Sequence, residues 1–351
     1  MRHLGSYFYF LLTTTIAVLI GSGVAYLVQP GSYVSGSLLA ATLAQVPSVE
    51  FSYVDKSNIP DAIVALIPTN PYETLVAGDM LQIVIAATII GVAAICLSDK
   101  HTRPFLELLA SIQMICMVIV KWVLRFAPLA VFGLIAQITS RVGVEAVVGV
   151  GMYVVTVIIG LGGLVVVYLA AVALVSKRSP VQFFGCIREV MLLAFSTSSS
   201  ATVMPVTLKT AEEKLGINPA VSRFVVPLGT TINMDGTALY QTVAAIFLAQ
   251  VFGVDIGIQG ILLILITSIG ASIGTPGTPG VGIVILATIL STVGIPPTGI
   301  ALLLGVDRIL DMCRTVVNVT GDLTACTVIN RLLKLECDQF QPTAAASEPA
   351  G

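Results

Sequence analysis

Val306-Asp307-Arg308-Ile309-Leu310-Asp311-Met312-Cys313-Arg314-Thr315-Val316-Val317-Asn318-Val319-Thr320-Gly321-Asp322 lies near the C-terminal end of a very apolar chain. Wound as an α-helix at 100° per residue, it brings Asp307, Asp311, Arg314, Thr315, Asn318 and Asp322 into an arc of about 100°. The remainder is mostly Val, Ile, Leu, Met and Cys. Such a helix must turn its charged stripe away from lipid, because each charge at a bilayer centre costs about 2.5 kcal/mol or more. Two readings compete. In one, the stripe is a structural salt-bridge network, but pairing Asp311 with Arg314 leaves Asp307, Asp322 and the distant Asp235 unmatched. In the other it is a ligand site: the planar fork of Arg314 suits a carboxylate and Asp311 suits an ammonium group. One acid and one base on adjacent turns complement a zwitterion or an acidic amino acid.

The rest of the chain agrees with a membrane setting. Of 351 residues, 56% are hydrophobic and 10% charged, where soluble domains carry about 25% charged residues. The apolar runs are long and do not alternate, which predicts an all-α polytopic membrane protein. A net charge of −2 with no basic cluster gives no sign of nucleic-acid binding. Cys96, Cys116, Cys186, Cys313, Cys326 and Cys337 are scattered without CxxC or Cys/His spacing, so neither a zinc site nor a disulfide framework is expected, and no cofactor is implied.

Tyr7 to Val28 reads as a first span; it is too long for a signal-peptide core and no small-residue cleavage site follows. Gln29 to about Pro60 reads as a polar loop, Met80 to Leu97 as a span, and Ser98 to Arg103 as a charged turn. Helices are then expected over Pro104–Thr139 and Val144–Val175. From Pro180 to Ile295 the pattern changes. Ser196–Thr202, Gly229–Thr237 and Ser272–Gly282 interrupt apolar segments with Ser, Thr, Gly, Pro, Asn and Asp. Irregular backbone at membrane depth is tolerated only where it lines a cavity or packs in protein. Two broken hairpins, each followed by a polar-interrupted helix, predict an inverted-repeat transporter with two re-entrant helical hairpins, the units being Pro180–Val251 and Asp255–Leu333. Three regions follow: residues 1–179 with the N-terminal helices, 180–335 with the hairpin-helix core, and a disordered tail at 336–351. Arg2, Lys100, Arg103, Lys177, Arg178, Lys209, Lys214, Arg331 and Lys334 fall on one face of the bilayer, the cytoplasmic one by the positive-inside rule, with Lys56 and Arg141 opposite. This is the pattern of a multi-pass protein of the cell's inner (plasma) membrane.

Each break has a packing reading beside a functional one. Asn233, Asp235 and Thr237 around Gly236 either satisfy a kinked helix or supply carboxylate, amide and hydroxyl oxygens to a hard cation. The serines at Ser196–Thr202 are either small packing residues or hold an anionic group on free amides and a helix N-terminus. The Gly/Pro-rich break at Gly274–Gly282 suits a mobile gate whose backbone approaches a ligand closely.

Asn233-Met234-Asp235-Gly236-Thr237, the serine-rich break, Ser272-Ile273-Gly274-Thr275 and Asp311…Arg314-Thr315…Asn318…Asp322 together resemble the glutamate/aspartate transporter family, the dicarboxylate/amino acid:cation symporters. The resemblance covers nearly the whole chain. It implies an elevator-type homotrimer that carries acidic amino acids with a coupling cation, Na⁺ or H⁺. Carried over residue by residue, it implies Arg314 for the side-chain carboxylate and Asp311 for the amino group. Thr237, Thr315 and Asn318 would be further substrate contacts, with backbone at Ser198, Ser200, Gly277 and Thr278. It implies three cation sites: Gly229, Asn233, Asn318 and Asp322; Thr231, Ser272, Ile273 and Thr275; and Thr13, Thr14, Asn233 and Asp235.

The sequence departs from the family pattern in three places. It begins at what resembles the third transmembrane helix. Phe10 stands where sodium-coupled members have a tyrosine. The family's additional arginine is replaced by Ser198 and Met312 at its two usual positions, with Arg308 one turn from Met312. Acidic amino acids are the expected substrate, with a C4-dicarboxylate or a non-transporting membrane subunit as alternatives. A serine hydrolase lacks a base, since His3 and His101 lie at predicted membrane edges.

Overall fold

The computed structural model describes residues 2–34, 70–77, 80–126, 129, 132–133, 136, 144–272 and 280–333. Its elements are helices α1 (Arg2–Val28), α2 (Pro71–Ala77), α3 (Met80–Ile95), α4 (Asp99–Leu124) and α5 (Val144–Ser176), followed by α6 (Pro180–Thr197) and α7 (Ser200–Lys209). Then come α8 (Pro219–Ile232), α9 (Asp235–Phe252), α10 (Gly257–Ser272), α11 (Val281–Thr292) and α12 (Leu304–Leu332). Among the described residues, Tyr7–Tyr33 and Val148–Ser176 are long and apolar enough to cross a membrane. The expected tail at 336–351, most of the polar loop, and Lys56, Arg141 and Lys334 of the charge pattern lie outside the described residues.

The first half needs two corrections. The helix expected over Pro104–Thr139 ends at Leu124, where a turn follows at Arg125 and Phe126 and the Arg125 amide donates to the Trp122 carbonyl (3.2 Å). Asp99–Arg103, expected as a turn, is the first turn of α4. The Ser98 carbonyl accepts from the His101 and Thr102 amides (2.9 and 3.3 Å), and Arg103 pairs with Glu107 one turn on (2.8 Å). These local bonds let charged residues start a helix; Pro104, just past the first turn, leaves the Lys100 carbonyl without its helical donor.

The core forms around α9, which is buried from Asp235 to Ala249. In one apolar cluster, Leu239, Tyr240, Ala244 and Phe247 of α9 meet Ala17 of α1, Tyr153 and Val157 of α5, and Leu286 and Leu290 of α11. Small residues allow the approach. A side chain on Gly21 of α1 would lie 3.1 Å from the Leu239 carbonyl, and one on Gly160 of α5 would lie 3.0 Å from the Leu239 side chain. The second cluster joins Phe10, Val172 of α5, Phe183 and Ile187 of α6, Val203 of α7, Val225 of α8, and Leu323 and Cys326 of α12. Helix α12 therefore runs between both clusters, packed on α5, α6, α8 and α9.

Two breaks fall where expected and are shorter than the polar runs that announced them. Ser198 and Ser199 alone separate α6 from α7. Ser198 is left-handed (φ 50°), and the Ser199 side chain accepts from the Thr202 amide as the cap of α7. Asn233 and Met234 alone separate α8 from α9, with Asp235, Gly236 and Thr237 already helical. The third break, between α10 and α11, is described only from Gly280 onward.

Phe247 is fully buried with its ring 5.0 Å from that of Tyr153. Phe247→Ala is expected to destabilise the protein by about 3–5 kcal/mol, read as a clear fall in melting temperature in detergent. An unchanged melting temperature would contradict a core centred on α9.

Candidate functional site

The break at Asn233–Met234 leaves helix ends inside the protein, and side chains from other helices answer them. Asn318 Oδ1 accepts from the Gly236 amide (2.8 Å), and Asn318 Nδ2 donates to Thr237 Oγ1 (3.1 Å). One side chain of α12 thus caps the first turn of α9. The contact needs glycine at 236: a Cβ there would lie 2.8 Å from the Arg314 carbonyl and 3.0 Å from Asn318 Oδ1.

Around the break, oxygen atoms of α1, α5, α8, α9 and α12 converge. Asn233 Nδ2 donates to Asp322 Oδ1 (3.0 Å), while Thr13 Oγ1 donates to Asn233 Oδ1 (3.4 Å). Thr14 Oγ1 donates to Asp235 Oδ1 (2.6 Å) and the Tyr168 hydroxyl to Asp235 Oδ2 (2.7 Å). Gly229 of α8 lies directly against the Asp322 carboxylate. Gly321 leaves room for both Tyr168 and Asn233, whose polar atoms would lie 2.8 and 2.9 Å from a Cβ there. The structure brings together Gly229, Asn233 and Asp322 of one expected cation set, with Asn318 one helical turn from Asp322. It also brings together all of Thr13, Thr14, Asn233 and Asp235. Among the described residues, no three His, Cys, Asp or Glu side chains group as metal ligands. The oxygens at the break are mixed carboxylate, amide and hydroxyl, a donor chemistry that suits a hard cation.

The remaining cation set does not assemble among the described residues. Thr231 is exposed and turns its hydroxyl back to its own helix, donating to the Leu228 carbonyl (3.0 Å) and the Pro227 carbonyl (3.4 Å). Ser272 ends α10, and Ile273 and Thr275 lie outside the described residues, as do the substrate candidates Gly277 and Thr278.

One and a half turns up α12 stands the acid–base pair. Asp311 and Arg314 meet each other: Arg314 Nε and Nη2 both donate to Asp311 Oδ1 (2.9 and 2.8 Å). Asp307 completes the group, its Oδ1 accepting from the Tyr240 hydroxyl (2.8 Å) and lying 3.7 Å from Arg314 Nη1. The guanidinium lies between two surfaces. The Tyr240 ring is 4.5 Å from its central carbon, a cation–π contact, and Gly282 of α11 lies directly against it. A side chain at 282 would require the guanidinium to move. The Gly280 amide donates to Asp311 Oδ2 (3.0 Å), tying the start of α11 to the pair. Thr315 donates to the Asp311 carbonyl (2.7 Å). At the first break, Ser198 and Ser200 are buried, and the Ser198 hydroxyl has no partner. Helices α6 and α7 both pack on α12.

The Sodium:dicarboxylate symporter family matches residues 3–332. This chain belongs to that family. A proton/sodium-glutamate symport protein of Bacillus subtilis is 34% identical over 324 residues, covering 92% of this chain and 75% of the relative. A proton/glutamate-aspartate symporter of Escherichia coli is 34% identical, covering 92% and 74%. A C4-dicarboxylate transport protein of Rhodospirillum rubrum is 33% identical, covering 92% and 71%. The family consists of membrane-embedded symporters, not enzymes.

Tyr168 and Tyr240 are the site residues that sequence reasoning missed. An aromatic in an apolar helix reads as core, and only the carboxylates they reach mark them out. Tyr168→Phe removes a donor from the buried Asp235 carboxylate and is expected to lower stability by about 1–3 kcal/mol, measured as melting temperature without ligand. A variant as stable as the unaltered chain would mean that the bond contributes nothing.

Proposed function

We propose that this chain is a cation-coupled secondary active symporter of acidic amino acids, aspartate and glutamate, in the inner (plasma) membrane. The observation that carries the proposal is the Asp311–Arg314 pair: an acid and a base side by side, both buried, on the face of α12 that also carries Thr315 and Asn318. An amino-acid dicarboxylate offers the complement of both, an ammonium for Asp311 and a carboxylate for Arg314. Thr237, held by Asn318, and the Ser198–Ser200 turn lie on elements packed against the same helix. The relatives of Bacillus subtilis and Escherichia coli carry glutamate or glutamate-aspartate in their names, which agrees with this choice.

The pair is already engaged with itself through Arg314 Nε and Nη2, so a ligand competes with it. A carboxylate must take Arg314 from Asp311, and an ammonium must then compensate Asp311. A buried acid left without a partner is costly. A C4-dicarboxylate brings no ammonium, which places it second, although one relative of similar identity is named for such substrates.

Coupling is assigned to the oxygen cluster at the broken helix. Thr13, Thr14, Asn233 and Asp235 form one cation site, and Gly229, Asn233, Asn318 and Asp322 a second. Thr231, Ser272, Ile273 and Thr275 are proposed to form a third only in a different arrangement of α10, since Thr231 here points away. Na⁺ is the proposed ion and H⁺ the alternative. Helices α6–α7 and α10–α11 are proposed as re-entrant hairpins of an inverted repeat. Residues 180–335 would then form most of a transport body moving elevator-fashion against a homotrimeric scaffold.

Arg314→Ala is expected to weaken aspartate binding at least about a hundredfold, read by titration of the purified protein; unchanged aspartate affinity would remove the assignment. Succinate competing more strongly than aspartate with labelled aspartate in proteoliposome counterflow would favour the dicarboxylate reading. Aspartate binding is expected to strengthen with Na⁺ at fixed pH. Dependence on pH alone, with no response to Na⁺, would make H⁺ the coupling ion.

A further inference from the structure

Arg308 is a second guanidinium at the acid–base pair with no role in the site described above. It stands one helical turn before Asp311, with its Nη1 3.7 Å from Asp311 Oδ2. That distance is beyond a hydrogen bond, which needs about 2.7–3.2 Å. Its side chain is 22% exposed, yet Nη1 itself is buried and has no hydrogen-bond partner. Among the described residues, Arg314 Nη1 is the other buried guanidinium nitrogen without a hydrogen-bond partner. Asp311 therefore lies between two arginines: Arg314 holds one carboxylate oxygen at hydrogen-bond distance, and Arg308 waits near the other.

Charge makes this arrangement consequential. Asp307, Asp311 and Arg314 by themselves sum to −1. A ligand with two carboxylates and one ammonium also carries −1, and would enter a pocket of its own sign. Arg308 brings the group to zero. It also solves the exchange on which the proposed function depends. When a ligand carboxylate takes the Nε and Nη2 donors of Arg314, Asp311 loses two charge-assisted bonds at once. The ligand ammonium replaces part of that loss. A guanidinium less than about 1 Å from bonding distance can replace the rest by side-chain rotation, without backbone movement.

We propose that Arg308 is a positioning residue for acidic ligands, taking over Asp311 as a ligand carboxylate occupies Arg314. This rests on the assignment of Arg314 to a ligand carboxylate. It predicts that positive charge at 308 governs affinity for acidic ligands while contributing little to the empty protein, where Arg308 makes no hydrogen bond through Nη1.

The test is aspartate titration into the purified full chain in saturating Na⁺ at fixed pH, with the unaltered protein, Arg308→Gln and Arg308→Lys, alongside melting temperatures without ligand. Arg308→Gln is expected to bind aspartate about tenfold more weakly with its ligand-free melting temperature unchanged. Arg308→Lys is expected to stay within about threefold of the unaltered chain, a compact charge lacking the planar fork. Unaltered affinity in Arg308→Gln overturns the proposal. So does equal weakening in both variants with a lowered melting temperature, because that is helix packing and not charge. If Arg308→Gln does not fold, the lysine variant decides: retained affinity supports the charge role, and lost affinity in a folded Arg308→Lys overturns it. Failure of the unaltered chain to bind aspartate would instead remove the proposed function on which the inference stands.

Discussion

A helix broken inside an apolar bundle must have its exposed peptide groups answered by someone else, and here the answer is Asn318. Its amide oxygen takes the Gly236 N–H and its amide nitrogen gives to Thr237. Water is not available to do this at membrane depth, so without the asparagine the break would carry an unmet donor. Much of the site follows from that bond. It fixes how α12 lies against α9, which needs glycine at 236. That placement sets Asp322 beside Asn233 below the break and Arg314 beside Tyr240 above it.

The same geometry sorts the buried charges into two groups with different chemistry. At the break, the partners of Asp235 and Asp322 among the described residues are neutral groups, Thr14, Tyr168 and Asn233 among them. Neutral donors stabilise a carboxylate without cancelling its charge, so these acids retain an appetite for a cation. Higher on α12, Asp307 and Asp311 face Arg314 and Arg308. There the charges cancel among themselves, and the proposed ligand would enter by exchanging partners. The spacing of side chains along one helix keeps the two groups apart.

Much of this was legible in the sequence, and what was not has physical causes. The stripe on α12 was visible because a 3.6-residue period with charges in an apolar helix has few explanations. The breaks were visible because Asn-Met-Asp-Gly-Thr and a run of serines cannot continue a lipid-facing helix. Family membership follows from the same residues and is carried by the match over residues 3–332. Three things were hidden. Tyr168 and Tyr240 look like core residues until the carboxylates that accept from their hydroxyls are seen. The outward turn of Thr231 depends on the Pro227 and Leu228 carbonyls of its own helix, which accept from its hydroxyl. The mutual engagement of Asp311 and Arg314 was available from their spacing of three, but periodicity cannot tell a pair that binds a ligand from a pair that binds itself.

The two oxygens of Asp235 are held by two different helices. Thr14 comes from α1 and Tyr168 from α5, while the carboxylate itself rides on α9. Asn233 adds a link from α1 to α12 through Thr13 and Asp322. Four helices far apart in the chain are thus stitched at one depth by short, directional bonds. Any large displacement that carried α9 and left α1 or α5 behind would tear these stitches in an apolar medium with no replacement partners. If the protein moves elevator-fashion as proposed, α1 and α5 would therefore travel with the broken helix.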